Sequence, residues 1–138
     1  MMPHVFVYGT LRCGGRNDIA RYRPSPVLVG EATIGGTLYD LGAYPGVVLG
    51  GAGSVKGEVY AIEPSVEAAL DRLEEVADDD TGEYIKRRVR VQTGGQWIDC
   101  LVYEIHPSRI EGRCVIESGD WIAHAAGRAE GPFSPPKD

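Results

Sequence analysis

Glycine and proline divide this chain into short segments. Nineteen glycines and nine prolines occur among 138 residues, and both residue types mark turns rather than helix interiors. The stretches between them are rich in β-branched and aromatic residues, which favour strands. The sequence therefore predicts a β-rich fold with many turns, in one domain large enough to bury about two thirds of its unfolded surface without disulfides or metals.

Six strands are predicted from these segments. They are Val5–Tyr8, a stretch around Val27–Thr33, Gly36–Asp40, Val55–Ile62, Tyr84–Val91 and Trp97–Ile105. The last two form a predicted hairpin across Thr93-Gly94-Gly95-Gln96, because a Gly-Gly pair suits a tight hairpin turn. We expect a single domain over residues 1–126, followed by a flexible tail at 127–138 that is rich in proline.

One segment has the periodicity of a helix. Its apolar residues follow Pro64-Ser65 at the spacing i, i+3, i+4 and i+7, namely Val66, Ala69, Leu70 and Leu73. The apolar stripe is expected to centre on Val66, Leu70 and Leu73. Glu74 can then reach inward at the end of the helix, whereas Glu75 should face water.

Charge and cysteine usage exclude several classes of protein. The formal net charge is −6, and the one basic run, Lys86-Arg87-Arg88 with Arg90, is predicted to be the solvated face of a strand rather than a nucleic-acid site. Three cysteines without close spacing favour a reducing compartment. Neither a signal-peptide pattern nor an apolar run of about 20 residues occurs. We therefore expect a cytoplasmic protein that binds neither nucleic acid nor membrane.

The first strand runs into a glycine-rich stretch, VFVYGTLRCGGRN, from Val5 to Asn17. Such an exit is either an ordinary tight turn or a place where backbone N–H groups are left free to hold a ligand. A glycine-containing turn can present those donors without side chains in the way.

The order of six motifs is more informative than any one of them. YGTLRCGGRN, GTLYDLGAYPGVV, VKGEVYAI, ALDRLE, EYIKRRVRV and the closing ESGDW resemble, in this order, the gamma-glutamylcyclotransferase-like family and its small bacterial members. The resemblance covers about residues 4–122. It implies an α+β fold, a small mixed barrel with short helices and a cavity at its mouth.

The resemblance also implies a reaction and its residues. The family cyclises an amide-linked gamma-glutamyl group, which leaves as 5-oxoproline, without a cofactor. The family's L-D-x-hydrophobic-E motif matches residues 70–74, which makes Glu74 the catalytic residue. Its substrate loop Y-G-[TS]-L matches Tyr8, Gly9, Thr10 and Leu11. We expect a small gamma-glutamyl substrate, no metal, and a monomer or weak homodimer.

The chemistry is compatible with these residue types. The α-amine of the substrate attacks its own γ-carbonyl, so no protein nucleophile is needed. A single carboxyl group could take the proton from the amine and return it to the leaving amine. Burial beside an apolar stripe would raise its pKa into a useful range.

The connection after Glu74 departs from the family pattern. Glu75 stands where many members have glycine, and Val76–Gly82 lengthens the path to Tyr84. An alternative function is therefore a non-catalytic binding module that retains the pocket. The run Asp78-Asp79-Asp80 is predicted to be exposed beside the pocket mouth, where it would favour a neutral or cationic leaving amine over glutathione.

Other residues near these motifs have alternative roles. Cys13 is either a thiol nucleophile or a small side chain in a glycine-rich loop, and no histidine stands in a cysteine-hydrolase signature. Arg12 could pair with a substrate carboxylate. Tyr44-Pro45-Gly46 resembles the family's Y-P-G turn and is predicted to shape the pocket wall. Trp97 and Trp121 are expected to be core or rim aromatics.

Overall fold

The computed structural model of the chain describes residues 3–12, 18–42, 44–73 and 84–129. These residues form six strands, two α-helices and two short 3-10 turns. The elements are β1 (His4–Val7), β2 (Val27–Asp40), β3 (Pro45–Ala61), α1 (Pro64–Leu73), β4 (Tyr84–Thr93), β5 (Gln96–Ile105), β6 (Cys114–Val115) and α2 (Trp121–Ala129), with 3-10 turns at Ile19–Arg21 and Pro107–Arg109.

The six strands form one mixed sheet in the order β4-β5-β1-β3-β2-β6. The short strand β1 lies in the middle, antiparallel to β3 and parallel to β5, with Val5 opposite Leu101. Val5 and Val7 are buried in one core cluster and Phe6 in another, so both faces of β1 are covered. The predicted strand-rich fold with few helices is confirmed.

The sheet curls, so that strands distant in its order approach each other. Strand β3 also pairs with β5, where Val47 lies opposite Glu104. At the far edge, the Thr93 hydroxyl at the end of β4 donates a hydrogen bond to the Glu31 carbonyl of β2, at 2.9 Å. A Cβ on Gly30 would lie 2.4 Å from that hydroxyl oxygen, so this approach of β4 to β2 depends on glycine.

The middle strands are longer than the sequence predicts. The two predicted segments in β2 are one strand, with a register irregularity between Gly35 and Gly36. In β3 only Val55–Ile62 was predicted, whereas the strand already begins at Pro45. Gly50 and Gly51 have positive φ values of 93° and 79°. Residues 50–53, which include this pair, lie between two stretches of β3 that pair with β2, since Leu49 pairs with Gly36 and Ser54 with Gly35.

The β4–β5 hairpin forms across the predicted turn. Thr93 pairs with Gln96, and Gly94 and Gly95 between them have φ values of 59° and 81°. Two successive positive φ values match the twist of a two-residue hairpin loop. In the basic run of β4, the side chains of Arg87, Arg88 and Arg90 are exposed as predicted, whereas Lys86 is half-buried.

Helix α1 covers one side of the sheet with a narrower apolar stripe than predicted. Val66 and Leu70 are buried in the same core cluster as Leu11 and Tyr103. Leu73 is 41% exposed, so its predicted place in the stripe is wrong, because the core beneath the helix ends one turn earlier. The segment 74–83, which contains Glu74, Glu75 and the aspartate run, lies outside the described residues.

Helix α2 was not predicted from the sequence. It begins at Trp121, whose side chain is buried in a second core cluster with Phe6 and Tyr8. The helix continues past residue 126, the predicted domain boundary, to Ala129, and residues 130–138 lie outside the described ranges. Neither described helix combines the length and apolar character needed to span a membrane.

Candidate functional site

The predicted substrate loop leaves the middle of the sheet at the end of β1. Tyr8 is its first residue, and its side chain is buried. The Tyr8 hydroxyl donates a hydrogen bond to the Tyr103 carbonyl of β5 at 2.6 Å and accepts one from the Val47 amide of β3 at 3.3 Å. Tyr8 therefore ties the start of the loop to both neighbouring strands.

The rest of the loop turns back on itself. The Gly9 carbonyl accepts a hydrogen bond from the Arg12 amide at 3.0 Å, and the Leu11 carbonyl accepts one from the Ile19 amide at 2.9 Å. Thr10 lies between them in the same turn. Within the described ranges, no residue accepts a hydrogen bond from the backbone amides of Gly9 or Leu11. The loop thus lies outside the β-ladder, as a ligand-binding turn requires.

The predicted pocket-wall turn packs directly against this loop. A Cβ on Gly9 would lie 2.7 Å from Cγ of Pro45, so glycine is what allows the close approach. The Pro45 carbonyl accepts a hydrogen bond from the Tyr84 hydroxyl at 2.7 Å, and the rings of Tyr44 and Tyr84 lie 6.4 Å apart. The structure therefore brings Tyr44-Pro45-Gly46 beside the substrate loop.

Helix α1 is fixed to the sheet by four polar side chains, which we call the Lys86 cluster: Glu67 in its first turn, Asp71 in its last turn, and Lys86 and Tyr103 on the sheet. The Asp71 carboxylate accepts hydrogen bonds from the Tyr103 hydroxyl at 2.7 Å and from Lys86 Nζ at 3.0 Å. Lys86 also donates to Glu67. Burial alone would lower the pKa of Lys86, but its bonds to Glu67 and Asp71 outweigh burial and raise that pKa.

Tyr103 connects the two parts of the predicted site. Its carbonyl accepts the hydrogen bond of Tyr8, and its hydroxyl donates to Asp71. Asp71 precedes Glu74 by three residues, and Glu74 directly follows the last described residue of α1. The loop and the helix end that leads to the predicted catalytic residue therefore meet at one residue of β5. Nothing in the sequence pattern indicated this role for Tyr103.

Arg12 is held by carboxylates of the protein itself. Its guanidinium donates to Glu58 of β3 at 3.1 Å and to Asp120, just before α2, at 2.9 Å. The Tyr60 hydroxyl also donates to Glu58, at 3.1 Å. We call these residues the Arg12 cluster: Arg12, Glu58, Tyr60 and Asp120. Arg12, which the sequence offers as a candidate partner for a substrate carboxylate, thus makes two ion pairs within the protein.

The pKa of Asp120 reflects this position. Burial alone would raise it, but the hydrogen bond from the Ala123 amide and the charge and hydrogen bond of Arg12 lower it below the usual aspartate value. The carboxylate stays charged, and it also caps the first turn of α2.

Cys13, the alternative nucleophile, lies outside the described residues. Cys100 is buried, and burial together with the nearby charge of Asp99 raises the pKa of its thiol to about 11. Within the described ranges, no group of three or more histidine, cysteine, aspartate or glutamate side chains is arranged to hold a metal ion.

Comparison with known proteins decides the family. The family described as gamma-glutamyl cyclotransferase, AIG2-like, matches residues 5–123. The chain belongs to this family. The family resemblance of the sequence motifs is thus confirmed. The matched region of the gamma-glutamyl cyclotransferase family includes both the loop after β1 and the turn before α2.

Two members of the gamma-glutamyl cyclotransferase family are similar in sequence to this chain over more than half of its length. The gamma-glutamylcyclotransferase family protein ytfP of Citrobacter rodentium is 38% identical over 119 residues, which are 86% of this chain and 94% of that protein. The gamma-L-glutamyl-butirosin B gamma-glutamyl cyclotransferase of Niallia circulans is 40% identical over 75 residues, or 54% of this chain and 47% of that one.

Among solved structures, an AIG2-like protein of Mus musculus has a similar fold. It aligns with a TM-score of 0.69 at 26% identity, covering 99% of this chain and 98% of the mouse chain. The two proteins therefore share the strand-rich mixed sheet over their whole length.

Proposed function

We propose that this protein is an active cyclotransferase that cleaves a gamma-glutamyl amide and releases 5-oxoproline and a free amine. Membership of the family supports the reaction type, as does the relative named for cyclotransfer on gamma-L-glutamyl-butirosin B. The observation that carries the proposal is the position of Tyr103, which bonds the substrate loop through Tyr8 and the end of α1 through Asp71.

In the proposed reaction, the substrate supplies its own nucleophile. Its α-amine forms a bond to the γ-carbonyl carbon and gives up a proton, which the Glu74 carboxylate accepts. The bond from that carbon to the leaving amine then breaks, and Glu74 returns the proton to this amine. The ring that remains is 5-oxoproline, and Glu74 ends in its starting state, so no redox partner or cofactor is consumed.

The substrate loop has the complementary role of binding. The amides of Gly9 and Leu11 would donate hydrogen bonds to the γ-carbonyl oxygen as it becomes negative, or to the substrate carboxylate. Fixed backbone donors suit this role because they need no reorganisation during the reaction. Tyr8 and the Tyr44-Pro45-Gly46 turn hold the loop from behind.

The surroundings of the site extend the proposal. The contact between β4 and β2 supports a sheet that closes into a barrel, with the loop at its mouth.

The aspartate run after Glu74 would make a gamma-glutamylamine a better substrate than glutathione, because a second anionic group is repelled. The free thiols of Cys100 and Cys114 favour a cytoplasmic location, where we propose that the protein is a monomer or weak homodimer.

The proposal is tested by incubating the protein with a panel of gamma-glutamyl amines and peptides and measuring 5-oxoproline. Glu74→Gln keeps the shape of the side chain and removes its proton acceptor, so turnover should fall about 10²- to 10⁴-fold. Glu75→Gln is the matched control and should retain most activity.

The reverse pattern, with Glu75 essential and Glu74 dispensable, would contradict the assignment of the base. Binding of a gamma-glutamyl compound without release of 5-oxoproline would instead identify a non-catalytic binding module.

A further inference from the structure

Two features of the sequence have no part in the proposed reaction. Arg12 follows the substrate loop immediately, and the closing ESGDW motif, Glu117–Trp121, lies more than a hundred residues later. The structure joins them, because Arg12 Nη1 donates to the Asp120 carboxylate of that motif at 2.9 Å.

The turn that carries Asp120 is seated tightly on β3. The Lys56 amide donates to the Gly119 carbonyl at 2.8 Å. Gly119 has a φ of 68°, and a Cβ on it would lie 1.9 Å from the Ser54 carbonyl oxygen. Any other residue would force this turn away from the strand. Asp120 is therefore held at a fixed distance from the sheet.

The second partner of Arg12 is equally fixed. Glu58 lies within β3, where it is paired in register with Val7, the last residue of β1. Its side chain is buried and also accepts a hydrogen bond from the Tyr60 hydroxyl. The Arg12 guanidinium thus bridges two carboxylates on separate, rigid elements, and its planar set of donors is suited to such a bridge.

We propose that Arg12 is a positioning residue for the substrate loop, and that the Gly119-Asp120 turn of the ESGDW motif is its anchor. The inference rests on the proposed function in taking the loop of Tyr8–Leu11 as the gamma-glutamyl binding element. Arg12 does not contact the substrate in this arrangement, since its charge is more than balanced by Glu58 and Asp120. It holds the C-terminal side of the loop, as Tyr8 holds the N-terminal side.

This role predicts an effect on binding more than on the chemical step. A loop that loses its anchor must be ordered when the substrate binds, which weakens binding. For Arg12→Met we expect KM to rise about tenfold while kcat changes less than about threefold, because the loop is already ordered in the substrate complex from which kcat is measured. Arg12→Lys should restore only part of the loss, because a lysine is a point charge that cannot make the same bridge.

The kinetic test uses Asp120→Asn as a second variant and Arg88→Met, an exposed arginine of β4, as the matched control. Asp120→Asn should raise KM, as Arg12→Met does. The KM of the double variant should be little higher than that of Arg12→Met alone. Arg88→Met should leave KM unchanged. A fall in kcat with unchanged KM, or fully additive effects of the two variants, would overturn the anchor.

A measurement without turnover separates this inference from the proposed function. Amide ¹⁵N relaxation of the substrate-free protein should give order parameters near 0.85 for Gly9, Thr10 and Leu11, falling below about 0.6 in Asp120→Asn or Arg12→Met. The Gly94-Gly95 turn is the internal control and should not change. If the loop amides stay rigid in a folded variant, the anchor is wrong even when the wild-type protein releases 5-oxoproline. If the loop loosens but no substrate is turned over, the anchor stands and the proposed function fails.

Discussion

The Arg12 and Lys86 clusters are built from the same kinds of group but connect different parts of the chain. Each has one cation between two carboxylates, and in each a tyrosine hydroxyl donates to one of those carboxylates. Arg12 joins partners that are 46 and 108 residues away. Lys86 joins partners that are 15 and 19 residues away.

The clusters also differ in their contact with water. The Arg12 side chain is 12% exposed, with partners at 10% and 21%, whereas Lys86 is 26% exposed, with partners at 24% and 32%. Removing one partner of a less exposed ion pair costs more free energy of unfolding, because the remaining partner is then an unpaired buried charge. The same set of groups therefore secures the fold at Arg12 and mainly orients helix α1 at Lys86.

The largest expected difference concerns stability. Arg12→Met leaves Glu58 buried without its cation, and such a loss typically costs about 3–5 kcal/mol in the free energy of unfolding. Lys86→Met leaves carboxylates that water can reach, so it should cost about 1 kcal/mol or less. Urea denaturation of both variants measures the difference. Equal costs would show that burial does not distinguish the two clusters.

A smaller effect is expected in acid. The pKa of Asp120 is lowered in the folded protein, so its charge stabilises the fold above the unfolded pKa of about 3.9. This contribution is lost as the pH falls through the lower, folded pKa. Asp120→Asn should therefore flatten the dependence of the unfolding free energy on pH below about 4. Denaturant titrations between pH 2 and 6 measure it, and an unchanged slope in the variant would argue against the Arg12 pair.

The smallest effect is expected in alkali. The pKa of Lys86 is raised in the folded protein, so its contribution is complete below the unfolded lysine pKa of about 10.4 and is lost as the pH rises through the folded value. Lys86→Gln should remove part of the loss of stability above about pH 10. Thermal unfolding at pH 8 and pH 11 compares the variant with the wild type. If Lys86→Gln loses as much stability between pH 8 and pH 11 as the wild type, the Lys86 ion pairs do not contribute to the loss.

Local signals made part of the fold predictable. The hairpin of β4 and β5 was found because Gly94-Gly95 has the chemistry of its turn, and α1 was found from the period of Val66 and Leu70. The same local reasoning failed in β3. Its glycines predict the end of a strand, but the pairing of β3 with β2 continues on both sides of them. It also failed at Leu73, because periodicity does not say where the core below a helix ends.

The sequence predicts the motifs of the candidate site but not the contacts between them. The loop of Tyr8–Leu11 is predicted to bind substrate only from the family resemblance, and the structure places it outside the sheet ladder. The partners of Arg12 and the double role of Tyr103 depend on contacts across 32 to 108 residues. A single sequence carries no signal for such contacts, because it states what each segment prefers and not which segments will meet.

The central position of β1 has a consequence for the order in which the molecule can be completed. Tyr8 needs the carbonyl of Tyr103, 95 residues later in the chain, and Arg12 needs the carboxylate of Asp120, 108 residues later. During synthesis the predicted substrate loop therefore leaves the ribosome well before either of these partners. Until β5 has been made, one side of β1 has no partner strand among the described residues. If the proposed function holds, the loop reaches its binding geometry only after both Tyr103 and Asp120 have been added.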